Sequence, residues 1–458
     1  MVYILLVIVW DFNMCAIVGV FGDDEAARIA YYSLFAMQHR GQEATGISVS
    51  NGENIKTIKK KGLVTEVFNE TALQYLTGSM AIGHNRYSTA GSESVLDAQP
   101  VFANYQLGEI AIVHNGNLIN KNEVRSTLIE EGAIFQSSMD TENVIHLIAR
   151  SQEEKLQDRI IEALKVIKGA YCFLIQSRKK MYAIRDKYGV RPFSIGKLEN
   201  GGYIVASETC AFDLVGAEFV RDVRPGEMVI FEQGCEEFKS IQLYTPDPHI
   251  CAFEYIYFAR PDSVIEGKSV YSARKEMGRS LARESRVDAD LVIPVPDSGV
   301  SAALGYSEES GIPFEMGIVR NHYVGRTFIE PTQERRDIKV KLKLSPISAL
   351  LKGKKIVVVD DSIVRGTTAK RIVRILKEAG ASEVHMRIAA PTIEHPCRYG
   401  IDTPSYKELI GANMSVEEIR KHIDADSLSF LSIESLKNSL GDDMNYSLVS
   451  FDGNYFIK

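Results

Sequence analysis

The sequence predicts two domains in series, an α+β domain over residues 15–245 and an α/β domain with a parallel sheet over residues 246–458. Three observations predict this. At 458 residues the chain exceeds one ordinary domain and fits two or three. In the second half, Ile356 to Val359 is a short β-branched run of the kind buried on both faces of a parallel sheet, and a helical pattern follows it. In the first half, apolar β-rich runs alternate with amphipathic segments without a regular strand–helix–strand repeat, which is an α+β pattern.

Composition narrows the class. An apolar content of 45% and a charged content of 25% are those of a soluble globular protein. The net charge of −7 favours solubility and argues against a nucleic-acid partner, and no DNA-binding motif is present. One basic run, Arg335 to Lys343, suits a solvated face or an anionic small molecule. Six cysteines without short pairing intervals point to a reducing cytoplasm rather than a disulfide framework. The leading MVYILLVIVW is apolar, yet a bilayer span takes roughly 20 residues. It also lacks the basic start and small-residue cleavage site of a secretory signal, so no membrane association is expected.

Taken in order, Cys15 to Gly22 reads as a strand ending in glycine, and Glu25 to Met37 reads as a helix. Four polar clusters follow: QHRGQEATG at 38–46, GHNRYSTAG at 83–91, AIVHNGNLIN at 111–120 and SSMDTENVIHLIA at 137–149. Together they suit hydrolysis of the glutamine amide, which needs a nucleophile, a base, an oxyanion hole and groups that hold the amino-acid end. A cysteine at a free N-terminus supplies the first two, because its α-amino group titrates near about pH 7.7–8.0. Asn115 and Gly116, read as an HNGN turn, offer a side-chain amide and a close backbone N–H to the oxyanion. Arg86 offers a bidentate fork for an α-carboxylate, and Asp140 a counter-charge for an α-ammonium. Chemistry at Cys15 requires residues 1–14 to be absent from the active enzyme, either as a cleaved propeptide or because translation starts at Met14 and the methionine is trimmed.

In order and spacing, CAIVGVFG, QHRGQE, GHNRYSTAG, HNGNL and the SSMDTE segment resemble the N-terminal-nucleophile glutaminase domain of class II amidotransferases over residues 15–245. The resemblance implies a four-layer αββα sandwich. It also implies Cys15 as nucleophile, Asn115 and Gly116 as oxyanion hole, and Arg86 and Asp140 as glutamine-binding residues.

Tyr244 to His249 (YTPDPH) is the best linker candidate. After CAFEYIYFARPDS at 251–263 come a helix over Tyr271 to Ser285 and a buried strand over Ala289 to Val295. That strand runs into PDSGVSAALGYS, a Gly/Ser turn at a helix start and so a second candidate phosphate cradle. The polar loop NHYVGRTFIEPTQERR at 321–336 suits a mobile lid. The strand at Ile356 then ends in Asp360 and Asp361, which can accept hydrogen bonds from a vicinal diol or hold a metal. Ser362, Arg365, Gly366, Thr367 and Thr368 form the turn into a helix with apolar residues at Ala369, Ile372, Val373, Leu376 and Ala379 and a stop at Gly380. Ser415 and Glu418 form a capping box further on.

VVVDDSIVRGTT resembles the signature of type I phosphoribosyltransferases, and PDSGVS, about 60 residues earlier, resembles their pyrophosphate loop. The resemblance implies binding of phosphoribosyl pyrophosphate (PRPP). Asp360 and Asp361 would hold the ribose hydroxyls, the 362–368 turn the 5′-phosphate, Asp297 to Gly299 the pyrophosphate, and Arg326 would stand on the closing lid. Mg²⁺ is expected to bridge pyrophosphate and hydroxyls near Ser298, Asp360 and Asp361. From Cys15 onward the whole order resembles the amidophosphoribosyltransferase family. This implies that ammonia from glutamine displaces pyrophosphate from PRPP to give 5-phosphoribosylamine, the first committed step of purine synthesis. It also implies purine nucleotide inhibitors and a homo-oligomer, tetramer or dimer. Many members carry a [4Fe–4S] cluster on four cysteines. Here Cys251 and Cys397 match two of them, and Ser447 and Ser450 stand in the region of the other pair, so no iron–sulfur cluster is expected. A hexosamine-phosphate synthase would lack VVVDDSIVRGTT, and a silent PRPP-sensing regulator would not need the Cys15 set.

Overall fold

Residues 14–87, 94–321, 344–401, 405–441 and 444–457 are described by the structure, a computed structural model. The leader up to residue 13, the end of GHNRYSTAG, Arg326 with most of its lid, and the basic run lie outside the described residues.

In the first domain two antiparallel sheets stack face to face. One orders its seven strands Glu218–Asp222, Ser194–Lys197, Tyr203–Ala206, Ala16–Phe21, Met80–Arg86, Ala44–Ser50 and Ile55–Lys61. The other has six, Lys239–Gln242, Glu227–Glu232, Lys180–Arg185, Gly169–Ser177, Gly108–Leu118 and Val101–Tyr105. Ile17 and Ile82 from the first sheet meet Val113, Leu174 and Met181 from the second in one core. The helices Ala26–Ala36 and Cys210–Val215 cover the outer face of the first sheet through Ala30, Leu34 and Phe212. Asp140–Arg150 and Leu156–Val166 cover the second through Val144, Ile148 and Ile160. The four layers are α, β, β and α.

In the second domain four parallel strands run in the order Leu291–Pro294, Lys355–Asp360, Glu383–Ile388 and Ser427–Phe430. Ile356, Val357, Val358 and Val359 are all fully buried, because helices cover both faces. Each such side chain contributes about 1.5–3 kcal/mol by leaving water. Val270–Glu284 and Val300–Ser310 lie on one side, Thr367–Glu378 and Val416–Ile423 on the other. Ser415 and Glu418 form the expected capping box at the start of the last of these helices.

One expectation needs correction. HNGN is not a turn: it lies within the eleven-residue strand Gly108–Leu118, paired in register with Gly169–Ser177. The asparagines and glycine that signal a turn are outweighed by long pairing on one edge. Gly116 (φ 149°) serves close approach instead, since a Cβ there would run into the Ala170 carbonyl. The 244–249 segment, the linker candidate, is tied to its surroundings. Asp247 N–H and His249 N–H donate to the Lys187 and Tyr188 carbonyls (2.9 and 2.7 Å), and His249 stacks on Phe456 at 4.1 Å.

Candidate active sites

Cys15 leads into the central strand of the first sheet, so both neighbouring strands fix its position. Its carbonyl accepts from Arg40 Nε at 3.0 Å, and the preceding Met14 is buried against Arg191. Burial pushes the Cys15 thiol up, beyond what Tyr87, Arg86 and Arg40 offset. The sulfur is therefore a thiol near neutrality and needs a base to become a nucleophile.

The other expected residues gather around it. Asn115 is buried, with Nδ2 at 3.5 Å from Ser207 Oγ, and that hydroxyl accepts from Ile17 N–H at 3.0 Å. Asn115 thus stands beside the strand that carries Cys15, and Gly116 follows it. Arg86 ends the neighbouring strand, buried between Glu43 and Asp97, each at 3.9 Å. Asp140 opens its helix with Oδ2 accepting from Leu118 N–H at 3.0 Å and Oδ1 at 3.2 Å from His114 Nδ1. Burial alone would raise its carboxyl, but His114 and the Leu118 N–H hold it down to about 2. Asp140 is therefore an anion, as an ammonium clamp requires. His84 is neutral: burial, then Arg86, pushes its imidazole down to about 3. His114 and His84 were inside the quoted motifs, yet nothing in the spacing marked them as parts of the site.

In the second domain Asp360 and Asp361 close the Lys355–Asp360 strand, both buried. Asp361 N–H donates to Asp360 Oδ1 at 2.9 Å, and Ser362 Oγ donates to Asp361 Oδ1. Burial raises both carboxyls, and for Asp360 the charge of Asp361 adds to it. The Ser298 hydroxyl lies near enough to ease the ionisation of Asp361. Even so, neither Ser298 Oγ nor Asp361 Oδ2 reaches a partner at hydrogen-bond distance and angle. Gly366, Thr368 and Arg365 line one pocket with the two acids, and Thr367 opens the helix above it, exposed. Arg365 pairs with Glu408 at 3.2 Å. Tyr257, from the EYIYF segment, lines the same pocket and was not foreseen. Ser298 and Gly299 precede the helix Val300–Ser310, and a Cβ at Gly299 would strike the Val359 carbonyl. Asp297 is turned outward and paired with Arg320. Arg326 lies outside the described residues.

The four positions of the cluster pattern converge. Cys251 faces Ser447 in parallel register, and the Ser450 carbonyl accepts from Glu394 and His395 N–H at 3.0 and 3.1 Å, beside Cys397. Cys251 is buried and Cys397 half-buried, and burial pushes the Cys251 thiol up to about 11. Two hydroxyls and a protonated thiol do not fit a cube held by four thiolates.

A fold of this kind with these two sites defines a glutamine-dependent transferase of two linked catalytic domains. A glutamine amidotransferase domain profile matches residues 84–213, and a phosphoribosyl transferase domain profile matches residues 271–416. Amidophosphoribosyltransferase of Bacillus subtilis is 50% identical over 448 residues, covering 96% of this chain and 94% of that protein. Amidophosphoribosyltransferase 2, chloroplastic, of Arabidopsis thaliana is 51% identical, covering 97% of this chain and 79% of that protein. A solved structure of glutamine PRPP amidotransferase from B. subtilis, complexed with ADP and GMP, is similar with a TM-score of 0.92. It is 49% identical and covers 97% of this chain and 98% of that one. The chain belongs to the amidophosphoribosyltransferase family, glutamine-dependent pentosyltransferases.

Proposed function

We propose that the enzyme hydrolyses glutamine at Cys15 and passes the ammonia to PRPP bound over Asp360 and Asp361, giving 5-phosphoribosylamine, glutamate and pyrophosphate at the start of purine synthesis. The observation that carries this reading is the pairing of two residue sets, one per domain, in a chain similar to amidophosphoribosyltransferases over nearly its whole length.

Glutamine enters with its α-carboxylate on Arg86 and its α-ammonium on Asp140, which is ionised for the purpose. The Cys15 α-amino group takes the thiol proton, and sulfur attacks the side-chain carbonyl. Asn115 Nδ2 and the Gly116 N–H receive the oxyanion. Collapse of the tetrahedral species expels ammonia with a proton from the α-amino group, and water then releases glutamate from the thioester. At the second site Asp360 and Asp361 orient the ribose hydroxyls, while the N–H groups after Ser298 and around Gly366 take the pyrophosphate and 5′-phosphate. Ammonia then displaces pyrophosphate at C1, and positioning supplies most of the acceleration.

Asp361 and Ser298, with Asp360 adjacent, would hold Mg²⁺, since Asp361 Oδ2 and Ser298 Oγ are buried without a well-formed hydrogen bond. When bound, it neutralises charge on the departing pyrophosphate. The two-cysteine, two-serine set supports an enzyme without an iron–sulfur cluster. The chemistry of Cys15 requires its amino group to be free, so residues 1–14 are absent from the active form. The spacing of the six cysteines, without short pairing intervals, supports a reducing, cytoplasmic setting; no helix among the described residues is long and apolar enough to cross a membrane. Purine nucleotide inhibition is supported by the ADP and GMP bound to the related B. subtilis enzyme, and a homo-oligomer by family resemblance.

Comparison of glutamine-dependent with ammonia-dependent pyrophosphate release in Cys15→Ala tests the reading. Glutamine-dependent release should vanish while release with high ammonia persists. Loss of both in a folded variant would refute two separate sites.

A further inference from the structure

QHRGQE and EYIYFARPDS lie in different domains, and the structure joins them. Arg40 has a fully buried guanidinium. Its Nε donates to the Cys15 carbonyl at 3.0 Å, its Nη1 to Glu208 Oε1 at 2.6 Å, and its Nη1 and Nη2 to Glu254 Oε2 and Oε1 at 2.9 and 3.0 Å. Glu254 opens the π-helical turn Glu254–Phe258 of the second domain. The same carboxylate pairs with Arg191 at 3.3 Å, and Arg191 donates through Nη2 to the Tyr399 carbonyl at 2.6 Å. That places the 398–400 loop of the second domain on the oxyanion strand of the first. Asn117 Nδ2 donates to the Arg398 carbonyl at 2.8 Å, and a Cβ at Gly400 would lie 3.0 Å from the Gly116 carbonyl carbon. Glu208 is held from the second domain as well, by Arg260 N–H at 2.9 Å and Ser263 Oγ at 2.7 Å.

We propose that Glu254, a residue of the second domain, is a positioning residue for the glutaminase reaction of the first. It fixes the Cys15 main chain through Arg40 and the Gly116 strand through Arg191 and the 398–400 loop. The inference rests on the reading of Cys15 as nucleophile and Gly116 as oxyanion donor. Its physical basis is a charge balance. Two buried guanidiniums meet one another's surroundings through Glu254, and only a carboxylate lets both stay put. A neutral amide turns N–H groups toward a guanidinium, so Arg40 swings away from the Cys15 carbonyl. Arg86 and Asp140, which hold glutamine, do not touch Glu254, so the loss falls on turnover and not on glutamine binding.

The test uses the full-length mature enzyme and the Glu254→Gln variant, assayed for glutaminase, for ammonia-dependent synthesis, and for the rate of Cys15 alkylation by iodoacetamide across pH. A displacement of this kind lowers glutaminase kcat on the order of 10²-fold, with KM for glutamine within about twofold. The alkylation profile should change, and ammonia-dependent synthesis should be kept. Glu254→Asp should recover part of the kcat. Should Glu254→Gln fail to fold, Glu254→Asp is read by itself: the shorter carboxylate should lower glutaminase kcat several-fold, with KM for glutamine and ammonia-dependent synthesis kept. Unchanged kcat and alkylation in a folded variant, or a parallel loss of the ammonia reaction, would overturn the proposal while leaving the glutaminase reading intact. Absence of glutaminase in the unaltered enzyme would remove both.

Discussion

The two active sites balance their buried charges in opposite ways. In the first, two buried carboxylates are held ionised: His114 and the Leu118 N–H hold Asp140 down to about 2, and His39 and Arg40 hold Glu208 well below the usual range against burial. In the second, burial pushes Asp360 and Asp361 up, and Asp361 Oδ2 and Ser298 Oγ stay unpartnered. The first site thus holds Asp140 and Glu208 charged through nearby cations and N–H groups, whereas the paired acids of the second are charged only at a cost. A site of the first kind loses by mutation of its partners; a site of the second kind gains stability when its own acids are neutralised.

The sharpest way to break this comparison is at Asp361. Asp361→Asn should cost PRPP use on the order of 10²-fold in kcat/KM, because an amide cannot take the place of the anion. It should leave PRPP-free glutaminase unchanged, and the unliganded protein should melt no lower. A drop in both half-reactions would show that the charges of the two sites are not independent. The paired glycines give the next test. Gly116→Ala and Gly299→Ala each push a Cβ into a carbonyl of a neighbouring strand, so each should destabilise by about 1–3 kcal/mol. The first should impair only glutaminase and the second only PRPP use, as read from half-reaction assays with matched melting curves.

Acid should separate the sites more gently. His84 is pushed down to about 3, so between about pH 6.5 and 3 the unfolded chain binds a proton that the folded chain refuses. Stability should fall through that window by up to a few kcal/mol, and Asp140 extends the loss below about pH 4 as the pH nears 2. Asp360 and Asp361 work with the opposite sign. Their raised carboxyls add stability as pH falls and are most costly when ionised. The melting-temperature gain from Mg²⁺ with PRPP should therefore shrink with acidification, and a gain that is flat in pH would contradict the unmet-charge picture. The smallest expected effect on activity concerns the serine pair. The native protein should bind no iron, while Ser447→Cys with Ser450→Cys should take up about four irons per chain and absorb near about 400 nm. Iron in the native protein would contradict the two-serine argument.

What the sequence made legible was local. The strand at Ile356, the acids at its end and the helix from Thr367 follow from a β-branched run, a polar turn and helical spacing within thirty residues. The HNGN segment misled because turn residues also serve where two backbones meet closely, and only the pairing with Gly169–Ser177 shows which applies. The ion network was illegible. Arg40 meets Glu208 and Glu254 across 168 and 214 positions, and no periodicity marks a charge that is buried because its partner is far along the chain. The same holds for Tyr257, whose segment was visible as a motif without a role.

The short parallel pair of Ile250–Cys251 with Tyr446–Ser447 bears on how the enzyme comes into being. The strand just before Glu254 finds its partner about 200 residues later in the chain. A ribosome delivers the first domain long before that. During this interval Arg40 and Arg191 have no Glu254, and the 398–400 loop is not yet made. If Glu254 positions Cys15 as proposed, a first domain that has not yet met Glu254 and the 398–400 loop should hydrolyse glutamine slowly.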